Sequence, residues 1–526
     1  MQIDPRIWVL LPFLVSTIDA LRILVLFPVN AKSHSILGQG VVTHLLKAGH
    51  EVVHITSYPR VKKEANLTEI DVGYIGQPPK HLAEKMDQFK IKNLVGKGNI
   101  ADSTFFLQFL YDYNKRFLED EKIVKLLSDP KEHYDVVVLE WFFSELVAGI
   151  APLFQCPLVW VATTEAHAHV LRVIDEIPNP AYSVDLFSTS RPPLSFTERV
   201  TSLWGIVKKM VLGSLMFEPD QRDIYNNVFP PIAAKRGVTV PPYDEAIYNA
   251  SLLLINSHPS IGTPFRLPQN AKYIAGYHVD SQPQPLPKEL QKLMDESKQG
   301  VIYFSMGSNL KSVEMSDEMK KSLLDVFSKL KETVIWKFEE DMEKPLNVHF
   351  VKWAPQQSIL AHPNCKLFIT HGGQLSTTEA IHYGIPVIGV PVLGDQHINM
   401  KSVVEKGFGV KLDLAEDLAD NLKGALYEVL HNPSYKIKAK EISQIFHDRT
   451  MAPGDELVFW IEHVVKTQGA LHLRSPALHV PLYQKLFLDL LACIVIALVT
   501  LYYLLCFLLK KIRSKKPVKE SKKKVK

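Results

Sequence analysis

Residues 368–380 read FITHGGQLSTTEA. An apolar run stops at a histidine, crosses two glycines and restarts among helix formers. Glycine reaches backbone angles that a side chain forbids, so the pair marks a tight turn. Ser376 and Glu379 stand in Ser-x-x-Glu spacing, which predicts a capping box opening a helix. The preceding CKLFIT has the length and composition of a short buried strand. A strand, a tight turn and a helix start bring free N–H groups and a positive dipole end to one point. That arrangement suits a phosphate.

The same rhythm runs outward from this turn in both directions. LRILVLF (21–27), HEVVHIT (50–56), YDVVVLE (134–140) and CPLVWVAT (156–163) are apolar, β-branched runs, and SILGQGVVTHLLKAG (35–49) between the first two reads as a helix. A second series follows in GVIYFSMGS (300–308), ETVIWKF (332–338), VHFVKWAP (348–355), CKLFIT and IPVIGVPV (385–392), with an amphipathic helix in SDEMKKSLLDVFSKLK. Alternating strands and helices imply parallel sheets covered on both faces. The class is therefore α/β, with two doubly wound, Rossmann-like domains at residues 21–280 and 296–475. The proline-spaced segment 281–295 links them. Ligands in such sheets sit at the carboxyl ends of the strands, so the cleft between the domains is the expected site. The stretch from Pro178 to Phe217 shows no clear periodicity.

The chain has 526 residues and a net charge of +4, but the charge is uneven. From Lys510 onward there are ten Lys or Arg and one acid, so the tail carries +9 and the remainder −5. The basic balance thus belongs to the tail and points to no nucleic-acid partner. Residues 486–509 are apolar, with an uncharged core from Leu490 to Leu509 that is long enough to cross a bilayer. A basic flank after a span marks its cytosolic side. The apolar run in residues 1–20 reads as a signal peptide. Together these predict a single-pass type I protein with a lumenal body and a basic cytosolic tail at 510–526. The ending KKVK places Lys523 and Lys524 as a dilysine signal read by coat proteins, so the expected location is the endoplasmic reticulum membrane. Asn66 and Asn249 begin glycosylation triplets. Only Cys156 and Cys365 lie in the body. One bridge between them is open, and two buried thiols are favoured. A homo-oligomer is also left open.

In the second series, WAPQ (353–356), HP (362–363), THGGQLSTTEA (370–380) and PVLGDQ (391–396) each follow a strand or open a helix. They place Trp353, Gln356, His371, Ser376, Glu379, Asp395 and Gln396 along one sheet rim. An aromatic face can stack a base, a helix start with a histidine can hold a diphosphate, and carboxylates can take sugar hydroxyls. Neither a Walker A loop nor a Gly-x-Gly-x-x-Gly turn is present, which disfavours ATPase and nicotinamide chemistry.

The stretch from Trp353 to Gln396 resembles the signature of the UDP-glycosyltransferases. INSHPS, FSMGS, the span and the lysine tail look most like the membrane-bound UDP-glucuronosyltransferase type and its insect members. The resemblance implies a GT-B fold with the sugar donor held mainly by the second domain. It implies that Trp353 stacks on uracil, with Gln356 and Glu379 near the ribose. His371, Gly373, Ser376 and Ser308 would meet the diphosphate, and Asp395 and Gln396 the sugar. Leu375 departs from the family, many of whose members carry Asn there. In the first series His34 reads as lying on the first strand's exit loop, beside a helix start, and the resemblance assigns it as catalytic base, because the acceptor hydroxyl must lose a proton as it attacks the anomeric carbon. Glu140, at the end of YDVVVLE, would orient it where relatives commonly carry Asp. The expected activity is inverting transfer of glucose or glucuronic acid to hydroxyls of small lipophilic acceptors. The UDP-sugar is a co-substrate, and neither a cofactor nor a catalytic metal is expected. The alternative is a non-catalytic lipophile- or nucleotide-binding protein on the same fold.

Overall fold

The computed structural model describes residues 20–77, 89–97, 104–174, 178–182, 190, 193–213, 215, 218–264, 266–280 and 282–514. The expected signal peptide, save Ala20, and the dilysine ending lie outside the described residues. The body through Arg474 and the segment from Ser475 form two compact units.

Two all-parallel sheets build the body. The first holds β1 (Arg22–Phe27), β2 (Glu51–Thr56), β3 (Leu67–Asp71), β4 (Val136–Trp141), β5 (Leu158–Ala162), β6 (Leu252–Ile255) and β7 (Ala271–Tyr273). Their order is β3-β2-β1-β4-β5-β6-β7. The second holds β8 (Val301–Ser305), β9 (Thr333–Lys337), β10 (Val348–Val351), β11 (Cys365–Thr370), β12 (Val387–Gly389) and β13 (Gly409–Lys411), in the order β10-β9-β8-β11-β12-β13. Parallel sheets need apolar cover on both faces, and the strand sequences supply it: β1, β4, β5 and β8 are almost wholly buried. Chain order reverses between β1 and β4 in the first sheet, and between β8 and β11 in the second.

The helices that bear on the site are α1 (Lys32–Lys47), α2 (Phe196–Leu212), α3 (Gln356–Ala361), α4 (Gln374–Tyr383), α5 (Gln396–Glu405) and α6 (Pro453–Lys466). Helix α6 follows the second sheet in sequence but packs on the first, burying Leu457, Ile461 and Val464 with Ile23, Val25 and Phe27. Helix α2 occupies the stretch where no periodicity was expected. In the separate unit, α7 (Leu488–Ser514) is apolar, unburied and long enough to cross a membrane. Cys156 and Cys365 are both free thiols; Cys365 is buried as expected, whereas Cys156 is half-buried. Asn66 is exposed in a left-handed turn, whereas the Asn249 side chain accepts a bond from Arg474 at 2.9 Å.

Two local expectations are corrected. His34 lies inside the first turn of α1, not on a loop, because extended Ala31 caps that helix. Helix α4 opens at Gln374 with Gly373 as its cap, so Ser376 and Glu379 form no capping box. The glycine takes the cap because a ring must pass beside it, as described below.

The second core centres on Trp336, fully buried among Phe304, Phe327, Phe338 and Phe350, with its indole N–H donating to Ser312 at 3.1 Å. Trp336→Ala is expected to lose about 3–5 kcal/mol of stability. Urea denaturation, followed by fluorescence and by retention of nucleotide binding, measures that loss.

Candidate active site

A cleft of 1530 Å³ lies between the carboxyl ends of the two sheets. On the first sheet's side, β1 delivers the chain to α1, and β4 ends beside it. His34 Nδ1 is hydrogen-bonded to Glu140 Oε1. Glu140 is buried, and its Oε2 has no hydrogen-bond partner among the described residues. The Phe142 ring stands edge-on to the imidazole at 4.4 Å, closing it in from the strand side. His34 lines the cleft, and Glu140 stands behind it.

On the second sheet's side, β8 and β11 run into facing turns. Gly307 and Gly372 have φ of +84° and +79°, which explains glycine at both on conformational grounds. Gly373 has an ordinary φ of −62°, and its reason is space. A Cβ on Gly307 would come within 2.5 Å of the His371 ring, and one on Gly373 within 2.6 Å. The imidazole is therefore seated between two bare backbones at the start of α4. Burial holds it down to about 4, with Lys337 adding to the effect, so it is neutral at physiological pH and can donate one N–H.

Glu379 lies one helical turn further on, buried, accepting from Gln356 Nε2 at 2.6 Å and from Gln357 Nε2 at 3.2 Å. Gln356 also donates to Ser376 Oγ at 3.1 Å. Burial pushes the Glu379 carboxyl up to about 7, against the pull of the two glutamines. Trp353 is 57% exposed at the rim, with the ammonium of Lys32 at 5.9 Å from its ring. Asp395 caps α5 and accepts from Asn399 Nδ2 at 2.8 Å, and the Gln374 backbone N–H also reaches it. Burial raises its carboxyl above the usual range, and His34 from the opposite sheet lowers it. Gln396 Oε1 accepts from the Val392 and Leu393 N–H groups, which turns its amide hydrogens outward.

The structure thus gathers His34, Ser308, Trp353, Gln356, His371, Gly373, Ser376, Glu379, Asp395 and Gln396 on one cleft. Three contributors escaped the sequence. Lys337, at the end of β9, is 6% exposed, pairs with Glu339 at 2.6 Å and lines the cleft near His371. Gln357 was legible only as the second glutamine of WAPQQ. Gln374 donates across the cleft to the Asn256 carbonyl at 2.9 Å, which no local pattern announces. Among the described residues no group of three or more His, Cys, Asp or Glu could hold a metal ion.

A family model described as "UDP-glucoronosyl and UDP-glucosyl transferase" matches residues 22–524. The UDP-glucosyltransferase 2 of Dactylopius coccus is 32% identical, over 97% of this chain and 96% of its own length. The UDP-glucuronosyltransferase 2B16 of Oryctolagus cuniculus is 30% identical, over 91% and 92%. Among solved structures, the spinosyn forosaminyltransferase SpnP is 19% identical with a TM-score of 0.54, covering 85% of this chain and 99% of its own. The calicheamicin glycosyltransferase CalG4 is 15% identical with a TM-score of 0.55, over 85% and 99%. These two likenesses bear on the fold, which is the GT-B arrangement of two facing parallel sheets.

A ribose hydroxyl donates best to an ionised carboxylate, so a nucleotide at Glu379 favours the deprotonated form. UDP affinity is expected to rise as pH climbs to about 7 and then level off. Without ligand the sign reverses. The folded chain keeps a proton that the unfolded chain releases near 4.5, so this group makes stability fall as pH rises from 4.5 to about 7. Glu379→Gln should remove both slopes. Calorimetric titration with UDP on either side of pH 7 checks the first, and a native affinity independent of pH would take Glu379 out of the ribose site.

Proposed function

Since the chain belongs to the UDP-glucuronosyl and UDP-glucosyl transferase family, and is an enzyme that moves sugar from a UDP-sugar to an acceptor, we propose that His34 is its general base and glucose its donor sugar. The observation that carries this reading is the His34–Glu140 pair facing Asp395 across the cleft. Glu140 takes the Nδ1 side, which leaves Nε2 for the acceptor hydroxyl. As that oxygen attacks the anomeric carbon, its proton passes to Nε2, and the bond from that carbon to the β-phosphate oxygen breaks. The product is inverted at that carbon, and UDP carries away the electron pair. Buried Glu140 stabilises the imidazolium that forms.

The second sheet receives the leaving charge. His371 donates an N–H, Ser308, Ser376 and the backbone at Gly373 add donors at the α4 start, and Lys337 supplies a nearby cation. Trp353 stacks on uracil, Gln356 and Glu379 hold the ribose, and Asp395 and Gln396 hold the sugar hydroxyls. The sugar end carries Asp395 beside His34 and Glu140. A uronate would add a carboxylate there, so a neutral hexose fits better, in keeping with the similarity to a glucosyltransferase. The acceptor side, with Phe109, Leu110, Phe142 and Phe143, suits a small lipophilic molecule.

With a phenol as acceptor, UDP release from UDP-glucose is expected to exceed release from UDP-glucuronic acid. His34→Ala should lose at least ~10²-fold in turnover with donor binding retained. Glu140→Gln should fall markedly and Glu140→Asp keep substantial activity. Mass detection of the conjugate reads all four results. Normal turnover in His34→Ala sinks the base, and preference for the uronate sinks the donor assignment.

For location, we read α7 as the span, the body as lumenal and the lysine tail as the signal for return to the endoplasmic reticulum. Exposed Asn66 is the favoured glycan site. Lys523→Ser with Lys524→Ser should let the protein leave that compartment and make its glycan resistant to endoglycosidase H. A glycan that stays sensitive would place retention elsewhere.

A further inference from the structure

Residues 276–280 follow β7 and line the cleft beside Glu379. Gln357, the second residue of α3, fastens them there with both ends of its amide. Its Nε2 donates to the His278 carbonyl at 3.2 Å and to Glu379 Oε1 at 3.2 Å. Its Oε1 accepts from the Asp280 N–H at 2.9 Å. Both amide hydrogens are spent, so Gln357 offers a ligand no N–H. The segment is held from its other side as well. His44, on the helix that carries His34, donates Nε2–H to the Tyr277 carbonyl at 2.8 Å. Residues 276–280 are therefore a fixed wall, tied to one sheet by α1 and to the other by α3.

Behind Glu379 this wall presents one side chain. The His278 ring is wholly buried, with Nε2 at 3.8 Å from Glu379 Oε1. Neither of its nitrogens has a hydrogen-bond partner among the described residues. A buried polar ring left unpaired is costly, so its place calls for a reason. Burial, with His382 adding to the effect, pushes His278 down to about 3, so the ring is neutral and carries one N–H. The groups facing Glu379 from other elements do not titrate near pH 7. Tyr303 of β8 and Tyr383 at the end of α4 are both pushed up by burial, and the Asp280 carboxylate bears on Tyr383. The geometry points to Gln357 and His278 as positioning residues for the donor nucleotide, acting through Glu379. Gln357 locks the carboxyl to the fixed segment. His278 closes on Oε1 and donates its Nε2–H when a ribose hydroxyl draws Glu379 into the ionised form. This inference rests on the reading of Glu379 as the ribose carboxylate.

The test is calorimetric titration of the full chain with UDP on either side of pH 7. Both donors favour the carboxylate, so losing either one raises the pH at which Glu379 ionises. In Gln357→Met and in His278→Leu, UDP affinity at pH 7 should fall at least ~10-fold, the low end for a hydrogen bond to a charged group. The pH at which affinity levels off should move above the native value of about 7. His278→Gln, whose amide can still donate, should level off where the native chain does. Thermal denaturation without ligand identifies a variant that does not fold, and the Leu and Gln variants of His278 decide the matter if Gln357→Met is one. A role in packing alone would lower stability and leave the levelling pH unmoved. Folded Gln357→Met and His278→Leu chains that level off with the native one overturn the inference and leave the ribose reading intact. A native affinity without pH dependence, or a slope that survives Glu379→Gln, overturns the ribose reading and this inference with it.

Discussion

A doubly wound sheet has one pair of neighbouring strands whose crossovers leave in opposite directions, and the gap this opens is the constraint on which the body's chemistry depends. The first sheet has its gap between β1 and β4, and the second between β8 and β11. His34 leaves β1 and Glu140 ends β4, so their hydrogen bond closes the first gap. Ser308 follows β8 and His371 follows β11, so the second gap receives the turn that seats the imidazole. Neither pair is close in sequence. Each is made adjacent by strand order alone, and Gly307 and Gly373 then allow the approach that a Cβ would block.

The donor side is held in a low-charge state by burial. His371 stays neutral, Glu379 titrates near 7, and Lys337 is paired with Glu339. Isolated buried charges would be costly, so each group is either neutral or bonded. The two glutamines that open α3 hold Glu379 in place. On the reading proposed above, that arrangement would give an incoming diphosphate fixed N–H donors rather than competing anions, the kind of preorganisation that stabilises a leaving oxyanion.

Much of this was legible in sequence where local pattern suffices. Apolar runs of four to eight residues gave the strands, and the span from Trp353 to Gln396 gave the donor rim, because each of those residues sits at a strand exit or helix start. What escaped depends on tertiary placement. Lys337 ends an ordinary strand sequence and becomes a cleft cation only because β9 neighbours β8. The capping box at Ser376 and Glu379 was misread because the spacing is right but the helix starts three residues earlier. In α2 the apolar residues do recur at helical spacing. The repeat was hidden by flanking residues without pattern.

The two sheets are tied where the donor turn meets the acceptor side. Gln374, the first residue of α4, donates to the Asn256 carbonyl beyond β6, and Ser402 of α5 donates to the Ile261 carbonyl at 2.6 Å. Leu375, next along α4, packs against the apolar layer formed by β1, α1 and α6. The family resemblance leads to an amide at this position, and an apolar contact across the cleft stands here instead. The exchange is not neutral for mechanism. Helix α4 is pinned to the sheet that carries His34, so on the proposed reading the base and the leaving-group site stand at a distance fixed by packing rather than by the ligand. An apolar pin of this kind is indifferent to which sugar is bound. On the proposed reading, selection of the donor then falls on Asp395 and Gln396, which are held from below by Asn399 and by the backbone at Val392 and Leu393.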